Sequence, residues 1–343
     1  MKFVDIDNIE IIKYDNPNTV YDIELEKNHY FATNTIISHN CRLRSDLSKV
    51  KEYSNSFGVG ISIGSHRVVT LNLPRIAFES EDNDTFMKKL EHNTKMAQDI
   101  LSIHRQIIVD NINKGKLPLY THQFMFLNRQ FSTIGFIGLN EACEVMDSDI
   151  ISKAGLGFAK IILSKIAELN EQKAKADGNM WNIEQIPGES AAYELAQKDK
   201  KLFTNHKYTM YGNQYIPLWK NTDIEERIKV QGELDSYTSG GGILHLNCTD
   251  SLDPEQIKQL IEYAAKKGVI YFAVNMNIVK CTNCGKLYVG KFDKSPCHNA
   301  PVINYTRVVG FFVPVQQWSR PRREEYKIRQ FYKTLDVNNY VNN

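Results

Sequence analysis

The chain has 343 residues, enough for two or three domains with sizeable cores, and its 42% apolar and 24% charged content is that of a soluble globular protein. A formal net charge of +2 gives no field that would draw nucleic acid or an anionic membrane, so neither is expected as a partner. Six scattered cysteines do not make a disulfide scaffold; Asp5 and Asp7 interrupt the opening apolar run, so no signal peptide is expected; and no apolar stretch approaches a membrane span, which together suggest a reducing, cytoplasmic setting.

Residues 1–40 read as strands. TVYDIELE alternates apolar and polar residues, KNH offers a turn and YFATNTIIS returns. After Cys41 the texture changes. HRVVTLNLPRIAFE is strand-like and stops at Pro74. Asn83 to Lys114 is a long amphipathic helix stopped by Gly115, and a second helix covers Gly157 to Lys173. Further on, DPEQIKQLIEYAAKKG carries Asp253 as N-cap, Pro254 at the first helical position, Gln256 at the third and Gly268 past the end. It lies between GILHLNC and VIYFAVN, so the three make a βαβ unit with parallel strands.

Three stretches carry chemistry. In SHNC, an asparagine amide can attack its own carbonyl and cleave the chain after itself. A neighbouring histidine can polarise that bond, and the following cysteine can first accept an acyl group. In KCTNCGKLYVGKFDKSPCHNAP, Cys281 and Cys284 form a C-x-x-C knuckle and Cys297 is a third thiolate. A second C-x-x-C is missing because Lys294 stands there. His298 is the substitute, although neighbours in sequence seldom chelate one ion with ease. In YTRVVGFFVPVQQWSRPRREEYKIRQFY, a glycine interrupts an apolar strand.

Residues 20–40, VYDIELEKNHYFATNTIISHN, resemble the last two blocks of inteins, and residues 1–19 do so loosely. The resemblance implies that Asp22 and His29 assist splicing, that His39 is the penultimate histidine, that Asn40 cyclises and that Cys41 begins the following extein. The family's opening nucleophile and Thr-x-x-His block have no counterpart before Asn40. The expectation is therefore the C-terminal fragment of a split intein, partnered by a separate polypeptide carrying the N-intein and N-extein.

Residues 41–343 resemble class III anaerobic ribonucleotide reductases. CRLRSD, VVTLNLPRIA, STIGFIGLNEACE, WNIEQIPGESAAYELAQKDK, YGNQYIPL, GGGILHLNC and the RVVGFF segment follow in that family's order. The resemblance makes Cys41 the thiyl residue that takes the ribose 3′-hydrogen and Gly310 the radical glycine. It implies a structural zinc, a glycyl radical installed by an iron–sulfur activase using S-adenosylmethionine, ribonucleoside triphosphates as substrates and a homodimer after splicing. The implied fold is α/β: the C-terminal part of a ten-stranded barrel over 41–275, a zinc ribbon over 276–304 and the glycyl-radical segment over 305–343, after a small all-β, Hint-type intein fragment over 1–40. The chain alone is expected to be inactive, without the reductase's N-terminal half.

Weaker candidates complete the expectations. Pro187, Gly188, Glu189 and Ser190 stand at a helix start suited to a substrate phosphate, and Asn72 is a candidate for the ribose. RPRREEYKIR is read as a solvated helix face, and His245, Cys143 and Cys248 as core residues. A glycyl-radical enzyme of pyruvate formate-lyase type, a zinc module holding DNA or RNA, and a decayed, unspliced fragment are the alternatives. The first commonly pairs adjacent cysteines and lacks a ribbon, whereas Cys41 is flanked by Asn40 and Arg42.

Overall fold

The computed structural model describes residues 30–33, 36–39, 64–249, 254–308 and 311–332. The chain divides into two compact units, Met1–Arg42 and Leu43–Asn343. In the first, β1 (Tyr30–Thr33) and β2 (Ile36–His39) pair antiparallel, with Tyr30 opposite His39. The stretch read as one returning strand is thus a hairpin in itself. TVYDIELE lies outside the described residues.

The second unit is mixed α/β. β3 (Gly64–Asn72), β4 (Gln130–Ile137) and β5 (Met180–Gln185) form a parallel sheet with β4 in the middle. All eight residues of β4 are buried, as expected of a strand covered on both faces. Gly240 N–H donates to Ile183 O and Gln185 N–H to Gly241 O, which carries the parallel pattern from β5 to the approach of β6 (Leu244–Cys248). β6 pairs in parallel with β7 (Phe272–Met276). Among the described strands β3 pairs only with β4 and β7 only with β6, so these strands do not close on themselves.

Helices join the parallel strands. α1 (Leu73–Phe78) follows β3 directly: Asn72 Oδ1 caps it by accepting from Arg75 N–H, and Pro74 sits in its first turn. β3 thus ends at Asn72, close to the expected stop at Pro74, and LPRIAF is helix. α2 (Asn83–Asn113) begins at an Asp82 cap and ends before Gly115 at φ 67°. Phe86, Leu90, Ala97 and Leu101 on its inner face are buried. A short α3 (Pro118–Thr121) precedes β4; α4 (Leu139–Val145) and α5 (Lys153–Asp177) lead from β4 to β5. α5 is longer than Gly157–Lys173, and its Ile162, Leu163 and Ile166 share one core cluster with α2 and β4.

Past β5 come α6 (Glu189–Asp199) and α7 (Ile224–Asp235). α8 (Pro254–Lys266) then links β6 to β7, which is the expected βαβ unit; Gly268 ends it at φ 89°, and Asp253 lies outside the described residues. The chain finishes in an antiparallel sheet of order β11-β10-β8-β9, from β8 (Ile278–Cys281), β9 (Leu287–Val289), β10 (Val302–Val308) and β11 (Phe311–Pro314). α9 (Arg320–Ile328) follows. It is not the solvated face its charges suggested. Glu325, Tyr326 and Arg329 are buried, with Arg329 donating to both oxygens of Glu325 at 2.7 Å. The carboxylate neutralises the guanidinium, which is what permits their burial.

Candidate functional site

The C-terminal ends of β3, β4 and β5 converge on α6. Asp199, in the last turn of α6, has a side chain closed to solvent. It accepts from Asn72 Nδ2 at 2.8 Å, from Tyr211 O–H at 2.8 Å and from Arg75 Nε at 2.8 Å, with Arg75 Nη2 also bonded to it. Tyr211 Oη also lies 3.0 Å from His206 Nε2. Burial and the Asp199 carboxylate both raise the Tyr211 phenol, so it stays protonated and donating. Asn72 is thus engaged twice by the protein, as helix cap and as Asp199 donor.

At the other end of α6, Gly188 is the N-cap and contributes no side-chain bond to the first turn. Ser190 is exposed, and Glu189 is paired with Arg322 of α9 at 3.2 Å. Asn72 and Ser190 meet different ends of α6, Asn72 through Asp199 in its last turn and Ser190 in its first turn, and the helix between is about 15 Å long at 1.5 Å per residue. Glu189 shares a polar cleft with Asn213, Gln214, His245, Asn275 and Arg307. His245, expected in the core, is half-buried there, its Nδ1 2.9 Å from Asn275 Nδ2. Cys143 and Cys248 are buried as expected, and burial pushes the Cys143 thiol up to about 12.

The second constellation is a Cys/His cluster. The ligand atoms of Cys281, Cys284, Cys297 and His298 all lie within 4.8 Å of one another. Cys284 Sγ is 3.5 Å from Cys297 Sγ, and Cys281 Sγ is 3.9 Å from His298 Nδ1. Cys281 closes β8, and Gly285, at φ 75°, turns the chain into β9. Ser295 N–H donates to Ala300 O, and Asn299, at φ 50°, donates back to Ser295 O. This tight loop is what lets the adjacent Cys297 and His298 both face the knuckle. The Ser295 hydroxyl, 3.2 Å from Cys281 Sγ, draws that thiol down to about 6, and Tyr288 lowers Cys297. Three soft sulfur ligands and an imidazole at this separation could hold a metal ion.

β10 and β11 belong to the same sheet as this cluster. They pair up to Val308 opposite Phe311, and Val309 and Gly310 between them lie outside the described residues. So do Asp22, His29, Asn40 and Cys41; of the splicing candidates, His39 ends β2. Asp199, Arg75, Tyr211 and Arg322 escaped the sequence reading. Asp199 sits in AQKDK, a stretch that looks like an ordinary solvated helix end.

The profile of the anaerobic ribonucleoside-triphosphate reductase family matches residues 10–332. The chain belongs to that family. Among curated proteins it is 23% identical to the anaerobic ribonucleoside-triphosphate reductase of Haemophilus influenzae, over 76% of this chain and 42% of that protein. It is 22% identical to the phage T4 enzyme, over 64% of this chain and 39% of that one. A solved anaerobic ribonucleotide reductase superposes with a TM-score of 0.72 at 39% identity, over 80% of this chain and 46% of that one. The Thermotoga maritima enzyme with dATP and CTP gives 0.66 at 36% identity, over 78% and 45%. The chain therefore spans less than half the length of these relatives. The matched region begins at residue 10, inside the segment that resembles an intein. No helix among the described residues is long and apolar enough to cross a membrane.

Proposed function

We propose that residues from Cys41 onward are the C-terminal part of an oxygen-independent ribonucleotide reductase acting on ribonucleoside triphosphates, and that residues 1–40 are an intein segment removed by splicing in trans. What carries the reading is the family match across residues 10–332. The sheet that joins the Cys/His cluster to the two strands flanking Gly310 supports it.

In this reading Gly310 holds an α-carbon radical, stabilised between its amide nitrogen and carbonyl and unhindered by a side chain. It takes the hydrogen from the Cys41 thiol, and the resulting thiyl takes the ribose 3′-hydrogen. Each transfer breaks one X–H bond and forms another of comparable strength. The α6 N-terminus, from Gly188 to Ser190, receives the substrate phosphates through the first-turn N–H groups that follow Gly188, whose own N–H is given to Ile186 O. Asn72 supports the ribose end only by way of Asp199 and Arg75, which fix its amide. Zinc held by Cys281, Cys284, Cys297 and His298 fastens the ribbon on which β10 is built. An iron–sulfur activase using S-adenosylmethionine installs the radical, and the spliced enzyme is a homodimer.

Before splicing, His39 and Asn40 release the intein segment while Cys41 accepts the incoming acyl group. Co-expression with the polypeptide bearing the other reductase and intein segments, followed by intact mass measurement, tests this half. The expected products are a ligated chain joined at Cys41 and a free fragment of residues 1–40; Asn40→Ala should leave the fragment attached. Anaerobic activation of the ligated protein should give a doublet electron paramagnetic resonance signal that Gly310→Ala abolishes. Nucleotide reduction by the Gly310→Ala protein would refute the radical assignment.

A further inference from the structure

The helices that join the parallel strands pack in a row. α2 lies against α5, α5 against α7 and α7 against α8, so α2 and α8 stand at the two ends. The inner pair, α5 and α7, leave one large apolar side chain exposed between them, Ile161. α2 leaves four: Met96, Ile100, Ile103 and Ile107 each keep between 47% and 62% of their surface in water. α8 exposes Ile257 and Ile261. The ends of the row, not its middle, therefore carry the apolar surface that a solvated helix avoids.

The four residues of α2 follow one another at spacings of four, three and four, the period of a seam between two helices. Glu91 and Gln98, which meet Lys165 and Asn170 of α5 at 3.0 Å, lie about half a turn round the helix from the seam at 3.6 residues per turn. His104 borders the seam, one turn from both Ile100 and Ile107, and it meets β3. Its Nδ1 is 3.2 Å from His66 Nδ1, and Arg67 Nε donates to its Nε2 at 3.2 Å. The seam thus faces away from α5 and looks past β3, on the side where no described strand pairs with β3. Polar side chains beside it are satisfied within α2. Asn93 Nδ2 donates to Lys89 O, Gln106 Nε2 to Asp110 Oδ1 and Asn111 Nδ2 to Ile107 O. The apolar line is what remains for a partner, and a second helix laid along it would bury it knob into hole.

The two ends of the row decide what supplies that helix. A second copy joined across α2 would leave α8 and the outer edge of β7 as they are. A body that continues the strands beyond both β3 and β7 covers both ends at once. The chain spans 42% and 46% of two reductase relatives, so more than half of such an enzyme is left to form that body. We propose that Met96, Ile100, Ile103 and Ile107 are the docking face for a helix of the other reductase segment, carried by the partner polypeptide. The identity of the partner rests on the reductase reading; the seam itself does not.

The test puts the photo-cross-linking residue p-benzoylphenylalanine in place of Ile103 in the full chain, which is irradiated after assembly with the partner polypeptide. Mass spectrometry should find the cross-link in a helix of the partner's reductase segment, and the same probe in place of the exposed Lys95 should give none there. Cross-links confined to a second copy of this chain, to its own residues or to the partner's intein segment overturn the proposal. A second arm combines Ile100→Lys with Ile103→Lys. The chain alone should melt with wild type, because both side chains already meet water and lysine suits a helix. In the ligated protein each lost apolar anchor should cost about tenfold, so the pair should shift the folding equilibrium by about a hundredfold. A ligated double variant as stable as wild type, or a double variant that unfolds as the chain alone, overturns the docking role. Should both arms behave as expected while the wild-type assembly reduces no nucleotide, the docking face stands and the reductase reading falls. Nucleotide reduction by an assembly that gives no such cross-link keeps the reading and overturns the docking face.

Discussion

Removing the Asp199 carboxylate tests whether the ends of β3 and α6 are held as one piece. Its side chain is fully closed to solvent, whereas that of Arg75 is 35% exposed. Breaking a buried ion pair costs ~3–5 kcal/mol, mostly through the charge left behind. Here that charge is the guanidinium, which can reach water, so the lower end applies, about 3 kcal/mol for Asp199→Ala. The Tyr211 hydroxyl loses its acceptor too, at about 1 kcal/mol, unless it turns fully to His206 Nε2. Asp199→Asn keeps the shape and one acceptor and should cost about 2 kcal/mol. Urea unfolding at pH 7 reads these as midpoint shifts at constant slope. In a double-mutant cycle with Tyr211→Phe, the coupling should reach about 1 kcal/mol, since the two groups share one bond. A midpoint for Asp199→Ala within error of wild type would refute the reasoning, as would strictly additive losses in the cycle.

Three further outcomes are expected of the same structure. A Cβ on Gly232 would sit 1.9 Å from the Lys267 backbone oxygen, so Gly232→Ala must part α7 from the end of α8 and should cost ~1–3 kcal/mol or more in thermal unfolding. Gly157, inside α5 with nothing within 4 Å of its would-be Cβ, is the control: Gly157→Ala should stabilise by up to about 1 kcal/mol. Native mass spectrometry should find about one zinc per chain, and Cys297→Ser should lose the metal along with the fold of the ribbon. His66 Nε2 lies 2.7 Å from Ser132 Oγ and Nδ1 3.2 Å from His104 Nδ1, and burial, with Arg105 next, lowers it from 6.5 to about 4. The unfolded chain then binds the extra proton first. Stability should fall as the pH drops from about 6.5 to about 4. Because the ring is only half buried, screening leaves about 1–2 kcal/mol of the full effect. Acid unfolding of His66→Asn should show a correspondingly shallower slope.

The parts of the fold that were legible in the sequence are those fixed locally. Gly115 and Gly268 stop α2 and α8 because both take positive φ, a conformation that glycine adopts without the strain a side chain brings. The β6–α8–β7 unit combined two apolar runs with a proline-led helix, and each signal was enough by itself. The stop of β3 near Pro74 was legible as well, but the helix that LPRIAF forms directly after it was not. What ends the strand is the Asn72 side chain capping the next turn, and a cap shows only once the backbone has bent. α9 misled. Its charges are those of a solvated helix, yet Glu325 and Arg329, four apart, cancel and go under. The adjacency of Cys297 and His298 counted against both serving one cluster. The loop closed by Ser295, Asn299 and Ala300 removes that objection.

The site itself is set by pairings over distances that no local pattern records. Arg75 and Asp199 are 124 positions apart, and Glu189 and Arg322 are 133 apart. Each is a charged residue in a stretch that reads as surface, and only its partner makes it otherwise. Together they tie α6 at both ends. Its C-terminal end is held by residues of β3 and α1, which follow the stretch that contains Cys41. Its N-terminal end is held by α9, which follows the strands flanking Gly310. A helix fastened in this way resists sliding, because movement at one end would strain an ion pair at the other. Asp199 is the more deeply buried of the two carboxylates and the more richly bonded. The Arg322 pair, with side chains 25% and 16% exposed, is the one a phosphate arriving at the α6 N-terminus could redirect. On the reductase reading, the rigid end of α6 therefore lies beside the sugar and the yielding end beside the phosphates.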